Sequence, residues 1–135
     1  MPRVFRVMMM DADGKPVIAD DSGLGVRLGV DIRQDAQGNA IIENKGMSVF
    51  EHWKDLPFNR KPKRLGGRGP DDTFCFRMGD GAFKSGHLAN GLDLVIPMGK
   101  NLKHGGVRPQ QLVPLAAFRA NIEATRDQWD LDENP

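Results

Sequence analysis

Four polar side chains, on or beside segments that read as strands, carry most of the chemistry that this 135-residue sequence offers. They are Arg6, Ser48, His87 and His104. Arg6 lies inside the apolar segment Val4–Met8, where burial of a guanidinium costs free energy unless an anion accompanies it. That anion is either an internal carboxylate or a phosphate of a bound ligand, which a guanidinium holds through two parallel hydrogen bonds. The sequence leaves both alternatives open.

Other motifs are too incomplete to indicate a site. Gly46–Ser48 begins like a nucleophile elbow, but Phe50 stands where the second glycine is required. The three histidines are widely spaced and have no paired cysteines, so we expect no metal site. Cys75 is the only cysteine, which excludes an internal disulfide, and its place between two phenylalanines favours a structural thiol.

Charge is distributed unevenly, although the formal net charge is only +1. The stretch from Lys54 to Arg68 is strongly basic, with Asp55 as its only acid. We expect either a solvated loop there or a basic lip that admits an anionic ligand. The near-neutral total argues against nucleic acid as a partner, and the longest apolar stretch, Val7–Met10, is too short to cross a membrane. A Sec-type signal peptide is not expected either.

The elements that must position these side chains are short. Sixteen glycines and nine prolines favour strands and turns over a helical bundle. Apolar, β-branched and alternating segments predict strands at Val4–Met8, Val26–Ile32, Gly46–Phe50, Phe74–Met78, Leu92–Ile96 and Gly105–Pro109. Ala40–Ile42 is expected to pair back as a hairpin, and Pro57–Asp72 to form a long surface loop.

A single long helix is predicted near residues 115–129. It is marked by an apolar repeat at Leu115, Phe118, Ile122 and Trp129. The expected fold is therefore one α+β domain over residues 1–130, with short, mostly antiparallel strands and a long C-terminal helix. Residues 131–135 are expected to form an acidic tail.

Several of these segments resemble one family, the small NAD-dependent, ADP-ribosyltransferase-like toxins that bacteria deliver by type VI secretion. Val4–Val7 followed by Asp13 and Gly14 resembles the first strand of that family. Gly46–Phe50 resembles its Gly-x-Ser-Val-Phe segment. The closing pattern of the family, in which a strand leads to a histidine, a proline and a final helix, is similar to Gly91–Leu94, His104, Val107–Pro109 and Leu115–Phe118.

The resemblance implies a split β-sheet with a cleft that binds NAD. Arg6 would bind a phosphate or ribose of NAD, and Ser48 would support the nicotinamide ribose. His104 would lie near the same cleft, and His87 is assigned to NAD binding with it. Because the chain has no tyrosine, any ring that stacks on the nicotinamide must come from Phe50, Trp53, Phe58 or another phenylalanine, and Phe50 is the residue assigned to the site.

The catalytic carboxylate is where this chain departs from the family pattern. Cleavage of the glycosidic bond of NAD develops oxocarbenium charge, which a nearby carboxylate stabilises. No Glu-x-Glu or Gln-x-Glu pair is present, so Glu51 is assigned as the acid because it lies close to Ser48 in the sequence. The predicted catalytic set is therefore Ser48, Glu51 and His104.

The resulting functional hypothesis is an NAD-binding, ADP-ribosyltransferase-like toxin that acts in the cytoplasm of a recipient cell. Such a toxin implies an unidentified cellular target and a cognate immunity protein as partners. Two alternatives stay open, and so does the question of whether the chain is an enzyme at all. One is a noncatalytic protein-interaction module that uses its Gly- and Pro-rich loop. The other is an enzyme similar to the NAD-dependent RNA 2′-phosphotransferases.

Overall fold

Short apolar runs form the strands of one antiparallel sheet in the computed structural model, which describes residues 1–135. The strands are β1 (Val4–Met8), β2 (Met47–Phe50), β3 (Phe74–Met78), β4 (Gly86–Ala89), β5 (Leu92–Val95), β6 (His104–Pro109) and β7 (Asp130–Leu131). Their order across the sheet is β4-β5-β6-β2-β1-β3-β7. The single α-helix, α1 (Leu115–Glu123), completes an α+β domain, as predicted. No helix is both long and apolar enough to cross a membrane.

β1 pairs very unequally with its two neighbours. Its register with β3 runs through five consecutive pairs, from Val4↔Met78 to Met8↔Phe74. Its register with β2 consists of the single pair Phe5↔Phe50. β1 and β2 are thus held together at one end only, and the ladder is interrupted beside Arg6.

The alternation of side chains along β1 divides the core into two clusters. Val4 and Met8 belong to the larger cluster, which also holds the buried residues of α1. Phe5 belongs to a smaller cluster on the other face, together with Phe50 and Cys75. Burial raises the pKa of the Cys75 thiol to about 12, which agrees with a structural thiol.

The strand predicted over Val26–Ile32 is not formed, and that prediction is wrong. Val26 and Ile32 are buried, but Leu28 and Val30 are 48% and 55% exposed. The segment closes into a turn because the carboxylate of Asp31 accepts hydrogen bonds from the backbone N–H and the guanidinium of Arg27. A local partner thus replaces the neighbouring strand that this backbone would otherwise need.

The C-terminal region also differs from the expectation of a long helix. α1 ends at Glu123, and the hydroxyl of Thr125 donates to the carbonyl of Ile122 at 2.7 Å. A 3-10 turn then carries Trp129 into the core, where its Nε1 donates to Thr125 Oγ1 at 3.0 Å. The apolar repeat is therefore buried in the core, although its last member lies beyond the helix.

The residues expected to form an acidic tail are anchored to the domain. Asp132 N–H donates to the carbonyl of Cys75, and its carboxylate pairs with Arg77 at 2.9 Å. The indole N–H of Trp53 donates to the carbonyl of Asn134 at 2.8 Å. These bonds follow from β7 pairing with β3, which brings the terminal acids onto basic side chains.

Three further segments add to or differ from the predicted elements. Gly86 begins β4, which pairs with β5, and no strand was predicted there. The loop Pro57–Asp72 contains a 3-10 turn at Lys63–Leu65 and is tied to the domain by the side chain of Arg64. Ala40 pairs back on Gln34 through an isolated antiparallel bridge, as the expected hairpin requires, but no strand extends over Ala40–Ile42.

Candidate functional site

A cavity of about 190 Å³ lies beside the point where the β1–β2 ladder is interrupted. Its lining includes Arg6, Asp21, Ser48, Phe50, Asn59 and Arg60. The sheet contributes Arg6, Ser48 and Phe50, and two loops contribute the rest. Three of the residues predicted from the sequence as site residues therefore meet in one concave place.

Arg6 joins three parts of the chain around this cavity. Its Nε donates to the carbonyl of Gly23 at 3.0 Å, and its Nη1 donates to the carbonyl of Ser48 at 2.7 Å. The second bond gives the Ser48 carbonyl of β2 a side-chain donor at a position where β1 no longer pairs with β2. The loop that carries Gly23 is closely packed, because a Cβ at that glycine would lie 2.7 Å from the carbonyl oxygen of Val17.

No carboxylate pairs with Arg6, although its side chain is only 8% exposed. Burial, followed by repulsion from Arg60, lowers the pKa of its guanidinium to about 10. Its Nη2 has no hydrogen-bond partner in the protein, yet it is not among the fully enclosed unpaired atoms. Arg6 therefore lines the cavity and keeps one nitrogen, Nη2, without a protein partner, which leaves a donor for an anionic ligand.

Ser48 and His104 form a hydrogen-bonded pair. Ser48 Oγ and His104 Nε2 are 2.6 Å apart, and the residues lie on neighbouring strands β2 and β6. The imidazole also stacks on the Phe50 ring, with centroids 4.5 Å apart and planes 6° from parallel. One β2 strand thus supplies the hydroxyl that bonds the imidazole and the aromatic ring that orients it.

The imidazole of His104 is disposed to be neutral. Burial lowers its pKa from the ordinary histidine value, and the positive charge of Arg60 lowers it further. In the tautomer with its proton on Nδ1, Nε2 accepts the hydroxyl proton of Ser48. This pairing of a hydroxyl with a neutral imidazole is the arrangement that activates a serine.

Arg60 and Asp21 form the outer wall of the cavity. The two side chains approach to 3.7 Å, and Arg60 is 38% exposed. Of the basic residues between Lys54 and Arg68, Arg60 is the one that lines the cavity, whereas Arg64 pairs with Asp71 and Glu133. The predicted basic lip is thus reduced to one guanidinium, because acids elsewhere neutralise part of the segment.

Asp21 and Asn59 are among the lining residues that sequence reasoning missed. Both lie in loops whose position over the sheet depends on tertiary contacts. The only local signal was the turn-forming run Asp20–Gly23 shortly after the first strand. Within it, Ser22 has a φ of +57°, which is uncommon for a residue other than glycine and is often found near functional sites.

Three predicted site residues are not part of the cavity lining. One is His104, which is linked to the lining through its hydrogen bond to Ser48. The other two are Glu51 and His87. Glu51 follows β2 directly after Phe50, and it is not part of the cavity lining. His87 is an exposed residue of the edge strand β4, three strands from β2 and thus about 14 Å away across the sheet. It lines a separate hollow beside Met1 and Lys84.

Comparison with family models, curated proteins and solved structures finds no significant match to this chain. No cluster of three or more His, Cys, Asp or Glu side chains is placed to hold a metal ion. What the site can do must therefore be argued from Arg6, Arg60, Ser48 and His104.

Proposed function

We propose that this chain is an ADP-ribosyltransferase-like protein that binds NAD in the cavity beside β1 and β2. The observation that carries the proposal is Arg6, a buried guanidinium that lines a cavity, has no hydrogen-bonded carboxylate and keeps one nitrogen without a protein partner. A cation buried in this way is expensive unless it serves a ligand or holds other chain segments. Arg6 does hold Gly23 and Ser48, and its remaining donors are those offered to the ligand.

The polar groups of the cavity fit the phosphate and ribose portion of NAD. Arg6 and Arg60 would pair with the pyrophosphate, whose two negative charges match two guanidinium groups. Ser48 would contact a ribose hydroxyl. Cavities that enclose a drug-sized ligand measure about 300–1,000 Å³. At about 190 Å³ this cavity takes only part of a dinucleotide, and the remainder would lie outside it.

The Phe50 ring supports the site indirectly. One of its faces is covered by His104, and the residue is only 3% exposed, so it orients the imidazole rather than stacking on a ligand ring. When bound, NAD supplies an ADP-ribosyl group on a glycosidic bond whose cleavage develops positive charge. Asp21 is the carboxylate that the cavity offers to such a charge, in place of the predicted Glu51.

Calorimetric titration with NAD tests this proposal. We expect wild-type protein to bind and Arg60→Gln to weaken binding at least about tenfold, which corresponds to about 1.4 kcal/mol. Arg60 is suited to the test because its side chain is partly exposed, so its loss leaves the fold intact. Arg33→Gln is the matched control, since it removes an exposed arginine paired with Glu43, outside the cavity. Absence of NAD binding by the wild type would refute the proposal.

The biological part of the proposal, a toxin delivered into the cytoplasm of a recipient cell and neutralised by an immunity protein, comes from the family resemblance. Conditional expression in a bacterial host tests it. We expect growth arrest with the wild type and recovery with Ser48→Ala at equal protein abundance. Growth at the normal rate with abundant wild-type protein would contradict the toxin assignment.

A noncatalytic interaction module is the second candidate function. It is favoured by the absence of any glutamate from the cavity lining, where the family pattern has its catalytic acid. Such a module would form a stable protein complex and show no heat of binding with NAD at millimolar concentration.

A further inference from the structure

We infer that Ser48 is a nucleophile, activated by His104, that attacks the phosphorus of a small phosphodiester held by Arg6 and Arg60. This inference goes beyond the proposed binding of NAD and does not depend on it. It assigns a covalent activity to the same cavity, based on its own side chains.

The first support is the geometry of the nucleophile and its base. The Ser48 Oγ–His104 Nε2 distance of 2.6 Å lies within the range at which a general base takes a hydroxyl proton. The parallel stack of Phe50 on the imidazole holds the ring in the plane that this bond needs. The two strands that carry the pair are adjacent and antiparallel, with Ser48 opposite Gly106 and Phe50 opposite His104.

The second support is the charge of the cavity. Its lining contains two guanidinium groups and one carboxylate, and therefore carries a single net positive charge beside a neutral imidazole. A phosphodiester carries one negative charge, whereas a carboxylic ester carries none. Arg6 also lies close to the nucleophile, because its Nη1 contacts the carbonyl of Ser48 itself at 2.7 Å. Arg6 and Ser48 both line the cavity, so a phosphate that pairs with Arg6 there shares the cavity with the Ser48 side chain.

The reaction balances with water as the only further reactant. Ser48 Oγ forms a bond to phosphorus while the bond from phosphorus to the leaving oxygen breaks. The hydroxyl proton passes to His104 Nε2, and the resulting imidazolium returns it to the leaving oxygen. Water, deprotonated by the same imidazole, then attacks phosphorus as the bond from phosphorus to Ser48 Oγ breaks. The imidazolium returns the proton to Ser48 Oγ, which restores the hydroxyl and releases a phosphate monoester. Arg6 and Arg60 stabilise the charge on the phosphoryl oxygens in both steps.

Electrostatics at His104 agree with this role. Burial and Arg60 both keep the imidazole neutral near pH 7, so that Nε2 is free to accept a proton. Arg60 is the charged group that acts on His104, whereas the neighbouring Ser48 and Phe50 side chains are uncharged. The rate of attack by Ser48 is therefore expected to rise with the fraction of His104 that is neutral. The pH at which this rate is half of its maximum should lie below the ordinary histidine pKa.

Labelling with a fluorophosphonate probe, read by intact-protein and peptide mass spectrometry, tests the nucleophile. We expect one adduct on Ser48, none in Ser48→Ala, and labelling at least about a hundredfold slower in His104→Gln. Ser85→Ala and His87→Gln are matched controls near β4, and both should label at the wild-type rate. Labelling of the wild type should increase with pH through the His104 midpoint. The absence of a Ser48 adduct, or a rate that is independent of His104 and of pH, would overturn the inference.

Turnover of model esters tests the substrate class. We expect release of nitrophenol from bis(para-nitrophenyl) phosphate, lost in Ser48→Ala, and a KM raised about tenfold or more in Arg60→Gln. Hydrolysis of para-nitrophenyl acetate alone would overturn the phosphodiester assignment. A protein that binds NAD but shows no Ser48 adduct keeps the proposed function and loses this inference. A protein that shows Ser48-dependent turnover without NAD binding keeps this inference and loses the proposed function.

Discussion

Arg6 and Arg126 both connect distant parts of the chain, but they do so with different partners. Arg126 donates to the carboxylates of Asp11 and Asp13 and, through Nε, to the carbonyl of Pro16 at 2.8 Å. All three of its nitrogens are used. Arg6 is more deeply buried, donates to two backbone carbonyls, and retains a nitrogen without a protein partner.

The difference lies in how the charge of each guanidinium is compensated. Two acids neutralise Arg126, and these hydrogen bonds raise its pKa, so no further anion is needed. Arg6 has no hydrogen-bonded acid, and burial, with the charge of Arg60, lowers its pKa by more than the charges of Asp31 and Asp21 raise it. The absence of a hydrogen-bonded acid beside a cavity, rather than burial alone, distinguishes Arg6 from Arg126.

The largest stability effect is expected from Arg6→Met. The substitution keeps an apolar chain of similar length but leaves the carbonyls of Gly23 and Ser48 without their donor. We expect the free energy of unfolding to fall by about 2–3 kcal/mol, because each lost bond came from a charged donor. Urea denaturation at pH 7 measures this. An unchanged urea midpoint would show that Arg6 holds neither segment.

A smaller effect on stability is expected when the pH is lowered and His104, the other member of the site, becomes protonated. Its pKa is lowered in the folded state, so the unfolded chain binds the proton more readily. Stability should therefore be complete above the ordinary histidine pKa of about 6.5 and should decrease as the pH falls below it. Urea denaturation from pH 8 to pH 5 measures the slope, which His104→Gln should reduce.

His52 shares the direction of this shift, because burial lowers its pKa as well, and it serves as the control. The slope remaining in His104→Gln should therefore be reduced further in the double variant with His52→Gln. A slope that is unchanged in His104→Gln would contradict a buried, neutral His104.

The smallest effect is expected from Arg126→Gln. Its ion pairs with Asp11 and Asp13 are near the surface, where water and salt screen them. The urea midpoint should shift less than in Arg6→Met, and added sodium chloride should reduce the difference from wild type. The Arg6→Met difference should not respond to salt in this way. An equal salt response of the two variants would remove the distinction between them.

Sequence patterns predicted the strands best where both ends carried a clear signal. Val4–Met8 and Phe74–Met78 form strands with the predicted bounds. The alternating segment Val26–Ile32 does not, because Asp31 satisfies the backbone of Arg27 locally. Alternation records which residues are suited to burial, but only the available hydrogen-bond partners determine whether a strand forms.

The candidate site was predicted only in part, for a related reason. Arg6 and Ser48 could be identified because each is a polar residue within an apolar strand. A polar group is costly to bury at such a position unless it has a partner. Asp21 and Arg60 belong to polar loops, in which their residue types are ordinary. Their place beside Arg6 depends on how those loops fold over the sheet.

The amino-acid sequence by itself determined that this chain forms an α+β domain of short strands and that a guanidinium stands within its first strand. Both are consequences of local composition and of the two-residue repeat of strands. Only the tertiary structure decided that β1 and β2 pair at one position, that Ser48 meets His104, and that no acid hydrogen-bonds to Arg6. These are contacts between residues far apart in the chain, and they depend on the packing of the whole sheet.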